Sequence, residues 1–194
     1  MYKLFVFLLS CSFAALAQNA TSQTPSAKSG SSDSQFATKA AQSNMAEVAL
    51  GKLALQNAQS DDVKKFGQRM VDDQTKAEQD LEGIASKNNW TLPSDVNATQ
   101  KSDQQRMEKL KGTEFDHAYM QMMVKDHVRD VAEFRKEANS TLANSDLRDY
   151  AKRTYLVLDD HLTNAKAVND ALSSKAGATK SNAAAQGGPG LLLI

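Results

Sequence analysis

The chain has 194 residues, enough for one domain with tails, and its 23 basic residues are balanced by 23 acidic ones. Charges of both signs are interspersed along it, which leaves no basic footprint for nucleic acid and no polybasic patch for a membrane surface. With 41% hydrophobic residues, 6% aromatic residues and 9 glycines, the composition suits a helical bundle better than a sheet protein.

Lys3, the mostly apolar run Leu4 to Leu16 and the small-residue end Ala15-Leu16-Ala17 predict a signal peptide over residues 1–17, cleaved before Gln18. The run is about thirteen residues long, short of the ~20 that a spanning helix needs. No transmembrane segment is expected, and the mature chain is placed in the periplasm or outside the cell. A competing reading lipidates Cys11 within Leu8-Leu9-Ser10-Cys11 and gives an outer-membrane lipoprotein. Cys11 is the sole cysteine. Cleavage after Ala17 removes it, and with it any disulfide framework, thiolate metal site or cysteine nucleophile. Residues 18–34, rich in Ser, Thr, Gln and Ala with Pro25 and Gly30, read as a disordered linker.

A four-helix-bundle domain is expected over residues 35–173. In its first helix Phe36, Ala40, Ser43, Glu47, Leu50, Gly51, Ala54 and Ala58 share one face. Glu47 lies near the middle of that face, where a carboxylate costs several kcal/mol to bury unless it is paired, hydrogen-bonded or metal-bound. Ser43 and Gly51 are small enough for another backbone or a ligand to approach. Ser60-Asp61-Asp62 caps the second helix with a serine and places acids at the positive end of its dipole. Its inner face is Val63, Phe66, Met70, Ala77, Leu81 and Ile84, with Asp73 and Gln74 straddling the stripe. Glu47 and Asp73 are equally far from Ser60, so a hairpin turning there sets them at one depth. Asn88-Asn89 and Pro93 end the helix, and Trp90 plugs that end of the bundle.

The connection from Trp90 to Gly112 carries a short extra helix, Ala98 to Leu110, offering Met107 and Leu110 as contacts. It is long enough to run the length of a bundle and enter the next helix parallel to the last; simple up-and-down winding is the competitor. Thr113-Glu-Phe-Asp116 predicts a capping-box-like start, and His117 follows as a surface residue. In the third bundle helix Met120, Met123, Val124, Val131, Phe134 and Ala138 fall within roughly 60° of His127 at about 100° per residue. After a turn over 139–144, capped by Asn144 or Ser145, the fourth presents Leu147, Tyr150, Thr154, Val157, Leu158, His161, Ala165, Val168 and Leu172. Measured from the turn, His127 and His161 differ in depth by ~7 Å, neighbouring layers. Residues 174–194 read as a disordered tail, and the closing Leu-Leu-Leu-Ile is too short to span a bilayer.

Three bundle helices carry related phrases, Val71-Asp-Asp73-Gln74, Val124-Lys-Asp126-His127 and Leu158-Asp-Asp160-His161. With Met45-Ala-Glu-Val-Ala-Leu-Gly-Lys-Leu-Ala54, Phe66-Gly-Gln-Arg-Met-Val-Asp-Asp73, Thr91-Leu-Pro93 and Phe115-Asp-His-Ala-Tyr119, they make Phe36 to Leu172 resemble a bacterial secreted family catalogued as domain of unknown function 4142. The resemblance implies a ferritin-like four-helix bundle in the cell envelope and no particular reaction. Where that family has Asp-His in the second helix, this chain has Asp73-Gln74.

Carboxylate-bridged di-iron bundles use Glu-x-x-His on two helices. Val124 and Leu158 stand three before His127 and His161, which argues against a dinuclear oxidase. What remains is Glu47, His127 and His161 with Asp73, Asp126 or Asp160, a set suited to one Zn or non-haem Fe ion. Met70, Met120 and Met123 favour Cu(I) instead. The bland alternative is a structural polar layer with methionines filling the core. Serines lie in no nucleophile elbow, and there is no phosphate loop. The sequence therefore ranks a non-enzymatic envelope or stress-associated bundle first, a metal-binding protein second and a redox enzyme third.

Overall fold

In the computed structural model, which describes residues 27–186, five helices follow one another. They are α1 (Ala27–Asn57), α2 (Asp61–Asn88), α3 (Ala98–Glu108), α4 (Gly112–Ala138) and α5 (Ser145–Gln186). The all-α bundle is as expected, with α1, α2, α4 and α5 as its four long helices and α3 as the short one in the connection. The predicted signal peptide, Cys11 and the closing Leu-Leu-Leu-Ile lie outside the described residues. Helices α1 and α5 run past the boundaries predicted at 35 and 173. A composition rich in Ser and Ala does not stop a helix that is already nucleated, because each further residue adds a hydrogen bond. No helix among the described residues is long and apolar enough to cross a membrane.

The helix ends depart from the sequence reading in two places. Ser60 occupies the N-cap of α2, but its side chain makes no capping bond. Instead the buried carboxylate of Asp116, in α4, accepts the backbone N–H groups of Gln59 at 3.1 Å and Ser60 at 2.9 Å. Asp116 is thus committed to a neighbouring turn, and the capping box predicted over Thr113–Asp116 does not form. Helix α4 starts at Gly112, whose φ of 59° lies in the left-handed region that glycine tolerates. Two other end signals hold. Asn89 closes α2 at a φ of 56°, and Asn144 Oδ1 accepts from the N–H groups of Asp146 and Leu147 to start α5. A reciprocal Asn97–Gln100 capping box, not read from the sequence, opens α3.

Cross-links at the two ends define the topology. At one end the Asn144 side chain donates to Asn88 and its backbone N–H donates to Asp33, both at 2.9 Å. At the other, Ala58 pairs with Gly112 beside the Asp116 contact. Helix α4 therefore starts where α2 starts and runs parallel to it, so the connection over 89–111 returns the length of the bundle. Simple up-and-down winding is excluded. The hairpins α1–α2 and α4–α5 join through α2 against α5 and α1 against α4, with α3 laid on α1 and α4.

Inside, the apolar core falls into two halves. One gathers Ala37, Ala41, Leu81, Phe134, Tyr150 and Leu158, with Trp90 packed against it at the end where it was expected. The other gathers Leu50, Phe66, Met70, Met107, Tyr119 and Met123. Where the halves meet, α1, α2, α4 and α5 each carry a buried polar residue: Glu47, Gln74, His127 and His161. Val157, placed on the inner face by periodicity, is 39% exposed, because the buried stripe of α5 passes through Thr154, Leu158 and His161.

Candidate functional site

Glu47, Gln74, His127 and His161 are all at least 96% buried. The Gln74 side-chain amide donates to Glu47 Oε2, and His127 Nε2 lies 3.7 Å from the same oxygen. The two imidazoles meet edge to face with centroids 5.4 Å apart, and Phe66 offers its ring to both at 6.1 and 6.5 Å. The histidines, expected in neighbouring layers, meet across them. Asp73 stands at the rim, where its Oδ2 accepts His161 Nε2–H at 2.7 Å and Arg69 Nε–H at 3.2 Å. All four sequence-nominated residues therefore belong to one cluster. Asp126 and Asp160 face outward to Arg129 and Arg69.

Hydrogen bonding determines both tautomers. A carbonyl only accepts, so His127 Nδ1 carries the proton it gives to Met123 O at 2.9 Å. A carboxylate likewise accepts, so His161 carries its proton on Nε2. The other nitrogens, His127 Nε2 and His161 Nδ1, are buried lone pairs without a hydrogen-bond partner, and so is the buried Tyr119 hydroxyl beside Phe66. Each unpartnered buried polar atom costs about 1–3 kcal/mol. Burial, helped by the neighbouring His161, holds His127 down to about 4. His161 is also lowered by burial, although Asp73 pulls it the other way. Glu47 is pushed well above the usual carboxylate range by burial first and by the charges of Asp130 and Asp126 second. The three titratable groups Glu47, His127 and His161 are each driven toward the uncharged form.

Tyr119, Arg69 and Asp130 escaped the sequence reading, as did the roles of Met123 and Gln74. Tyr119 and Met123 lie eight and four residues before His127, so the helical period could have placed Tyr119 on the same face. Gln74 was identified only as a departure from a family pattern; it is the hydrogen-bond partner of Glu47. Arg69 and the buried Asp130 carried no signal, because charged residues beside a stripe usually reach solvent. Met70, Met120 and Met123 are fully buried in the apolar half next to the layer. Among the described residues, no three His, Cys, Asp or Glu side chains already surround a common point as a ligand group.

Fold and site together define an all-α bundle with one long crossover, closed around a buried layer of one carboxyl, one amide and two imidazoles. The chain belongs to the DUF4142 family, a domain of unknown function, whose model matches residues 17–168. Its fold is similar to that in the crystal structure of a DUF305 fragment from Deinococcus radiodurans, with a TM-score of 0.64 over 76% of this chain and 97% of that one. Identity is 12%, so the likeness concerns the fold alone. No curated protein matches the sequence.

Proposed function

We propose that the chain is an exported, ferritin-like bundle protein that holds a single transition-metal ion between Glu47, His127 and His161, and that it is not an enzyme. The observation that supports this most is the pair of fixed tautomers. Metal-binding histidines donate their remote N–H to a carbonyl or carboxylate, which orients the free nitrogen toward the metal. His127 does this with Met123 O and His161 with Asp73. Two ligands about 2.1 Å from one Zn ion are about 3.4 Å apart at the tetrahedral angle. The 3.7 Å between His127 Nε2 and Glu47 Oε2 is close to that spacing. His161 must turn inward to complete the set, and Glu47 must release Gln74. Two imidazoles and a carboxylate suit Zn(II) or Fe(II), whereas the methionines beside them suit Cu(I). The Asp73 hydrogen bond keeps the His161 proton on Nε2, which leaves Nδ1 as the donor atom toward a metal. The Leu4–Leu16 run and the Ala15-Leu16-Ala17 end support export, and the long crossover supports the ferritin-like reading.

A second reading, a metal-free polar layer that sets how the hairpins meet, is favoured by the Gln74–Glu47 and Arg69–Asp73 hydrogen bonds already in place. Thermal unfolding with added Zn(II), Fe(II) or Cu(I) separates the two. At a hundred times the dissociation constant, a metal site adds about 2.7 kcal/mol, or roughly 5–10 °C in a domain of this size. The rise should disappear in His127→Leu and in Glu47→Gln. No rise with any of the three ions would leave the polar layer as the role of these residues.

A further inference from the structure

A cleft of about 500 Å³ opens between α1, α3 and α4. Glu47, 4% exposed, lines it and also belongs to the interior layer. On α4 the wall is formed by Asp126, Asp130 and Glu133, spaced four and three residues apart and so on one face of the helix. Asp103 of α3 faces them from the opposite side. Two basic residues also line the cleft, Lys39 and Arg129. Arg129 is half exposed and lies across the acidic wall, donating to Asp126 at 3.0 Å and to Asp130 at 2.9 Å. The positive end of α3 also borders the cleft, but there the Asn97 and Gln100 side chains each accept the other residue's backbone N–H. Behind Glu47, 3.7 Å from its Oε2, is the fully buried and unpartnered Nε2 of His127.

We infer that this cleft is the path by which a divalent cation reaches the interior site: the carboxylates draw it in, Arg129 holds its place and is displaced by it, and Glu47 passes it to the imidazoles. This rests on the metal-binding reading above. An acidic, low-dielectric groove focuses its field and raises association rates of a cation by ten- to a thousandfold, in a salt-dependent way. Glu47 both lines the groove and belongs to the interior layer, so a cation bound between it and Asp130 is one ligand exchange away from His127.

The test is stopped-flow binding of Co(II) to the full chain, followed by its visible absorption, in wild type, Asp126→Asn/Glu133→Gln, Arg129→Gln and His127→Leu. The expected results are an association rate about tenfold lower in the double variant at low salt, a weaker salt dependence there, and a faster rate in Arg129→Gln. The spectrum at saturation should stay that of wild type in both, with unchanged far-ultraviolet circular dichroism. No Co(II) spectrum in wild type overturns the interior site itself. A wild-type spectrum that is lost in His127→Leu, with equal rates in all the other variants, overturns the path and leaves the interior site standing. A spectrum that persists in His127→Leu means that the cation stops in the cleft, which also overturns passage to the imidazoles.

Discussion

A protonated imidazole at position 127 would sit at the centre of the bundle with its free N–H 3.7 Å from the nearest carboxyl oxygen, too far for a hydrogen bond. The fold therefore favours the neutral ring, and His127 is held down to about 4 from its ordinary 6.5. Between those pH values the unfolded chain binds a proton that the folded chain refuses. The stability linked to this group is complete above about pH 6.5 and falls as the pH drops toward 4, by up to roughly 3 kcal/mol. Glu47 has the opposite sign. Its raised value means that the folded chain keeps a proton the unfolded chain has lost, so its contribution is complete in acid and declines as the pH rises through the folded value. Because the two groups act in opposite directions, the histidine is read by difference: in urea denaturation at pH 7.5, 6 and 5, wild type should lose stability on acidification relative to His127→Leu. Unchanged acid sensitivity in the variant would assign the loss to other groups. Combining Glu47→Gln with His127→Leu should give a coupling of about 1 kcal/mol or more; additive costs would show that the 3.7 Å approach carries no energy.

Between helices, α1 and α2 approach closely at two glycines. A Cβ added at Gly51 would lie 2.5 Å from Gly67 O and 3.0 Å from a Val71 methyl, and one at Gly67 would lie 2.6 Å from the Ala54 Cβ. Backbone cannot yield as a flexible side chain does. Gly51→Ala should therefore destabilise by about 1–3 kcal/mol and disturb the register that brings Gln74 to Glu47. Gly83, in the same α2, has nothing within 4 Å of its would-be Cβ. There alanine should stabilise by about 0.5–1 kcal/mol, since only the backbone entropy of glycine changes. Melting temperatures of the two variants should move in opposite directions, and a shared sign would refute the packing argument. Asp116→Ala should cost about 1–3 kcal/mol by leaving the N–H groups of Gln59 and Ser60 unpaired.

At the scale of the whole molecule, the two hairpins share the polar layer and both apolar halves, so neither hairpin is a separate folding unit. Trp90 reports on one half, and circular dichroism reports on all the helices. In urea the two signals should therefore trace one transition. A fluorescence transition that precedes the loss of helix would mean that the Trp90 end melts by itself.

From its sequence alone the chain determined which residues turn inward. Periodicity placed Glu47, His127 and His161 on the stripes of three helices, and equal distance from Ser60 set Glu47 and Asp73 at one level. Helix stops at Asn88-Asn89 and a start at Asn144 were equally legible, because caps are local chemistry. Periodicity says which face of a helix looks inward, but not which neighbour that face meets. The rotation and crossing of α1 and α2, set by the Gly51–Gly67 approach, decided that Gln74 rather than Asp73 bonds to Glu47. The return path of the crossover decided that α3 walls the cleft beside Asp130, and that Asp116 serves the turn before α2 instead of its own helix. These contacts join residues far apart in the chain, and their energies exist only once all five helices are packed.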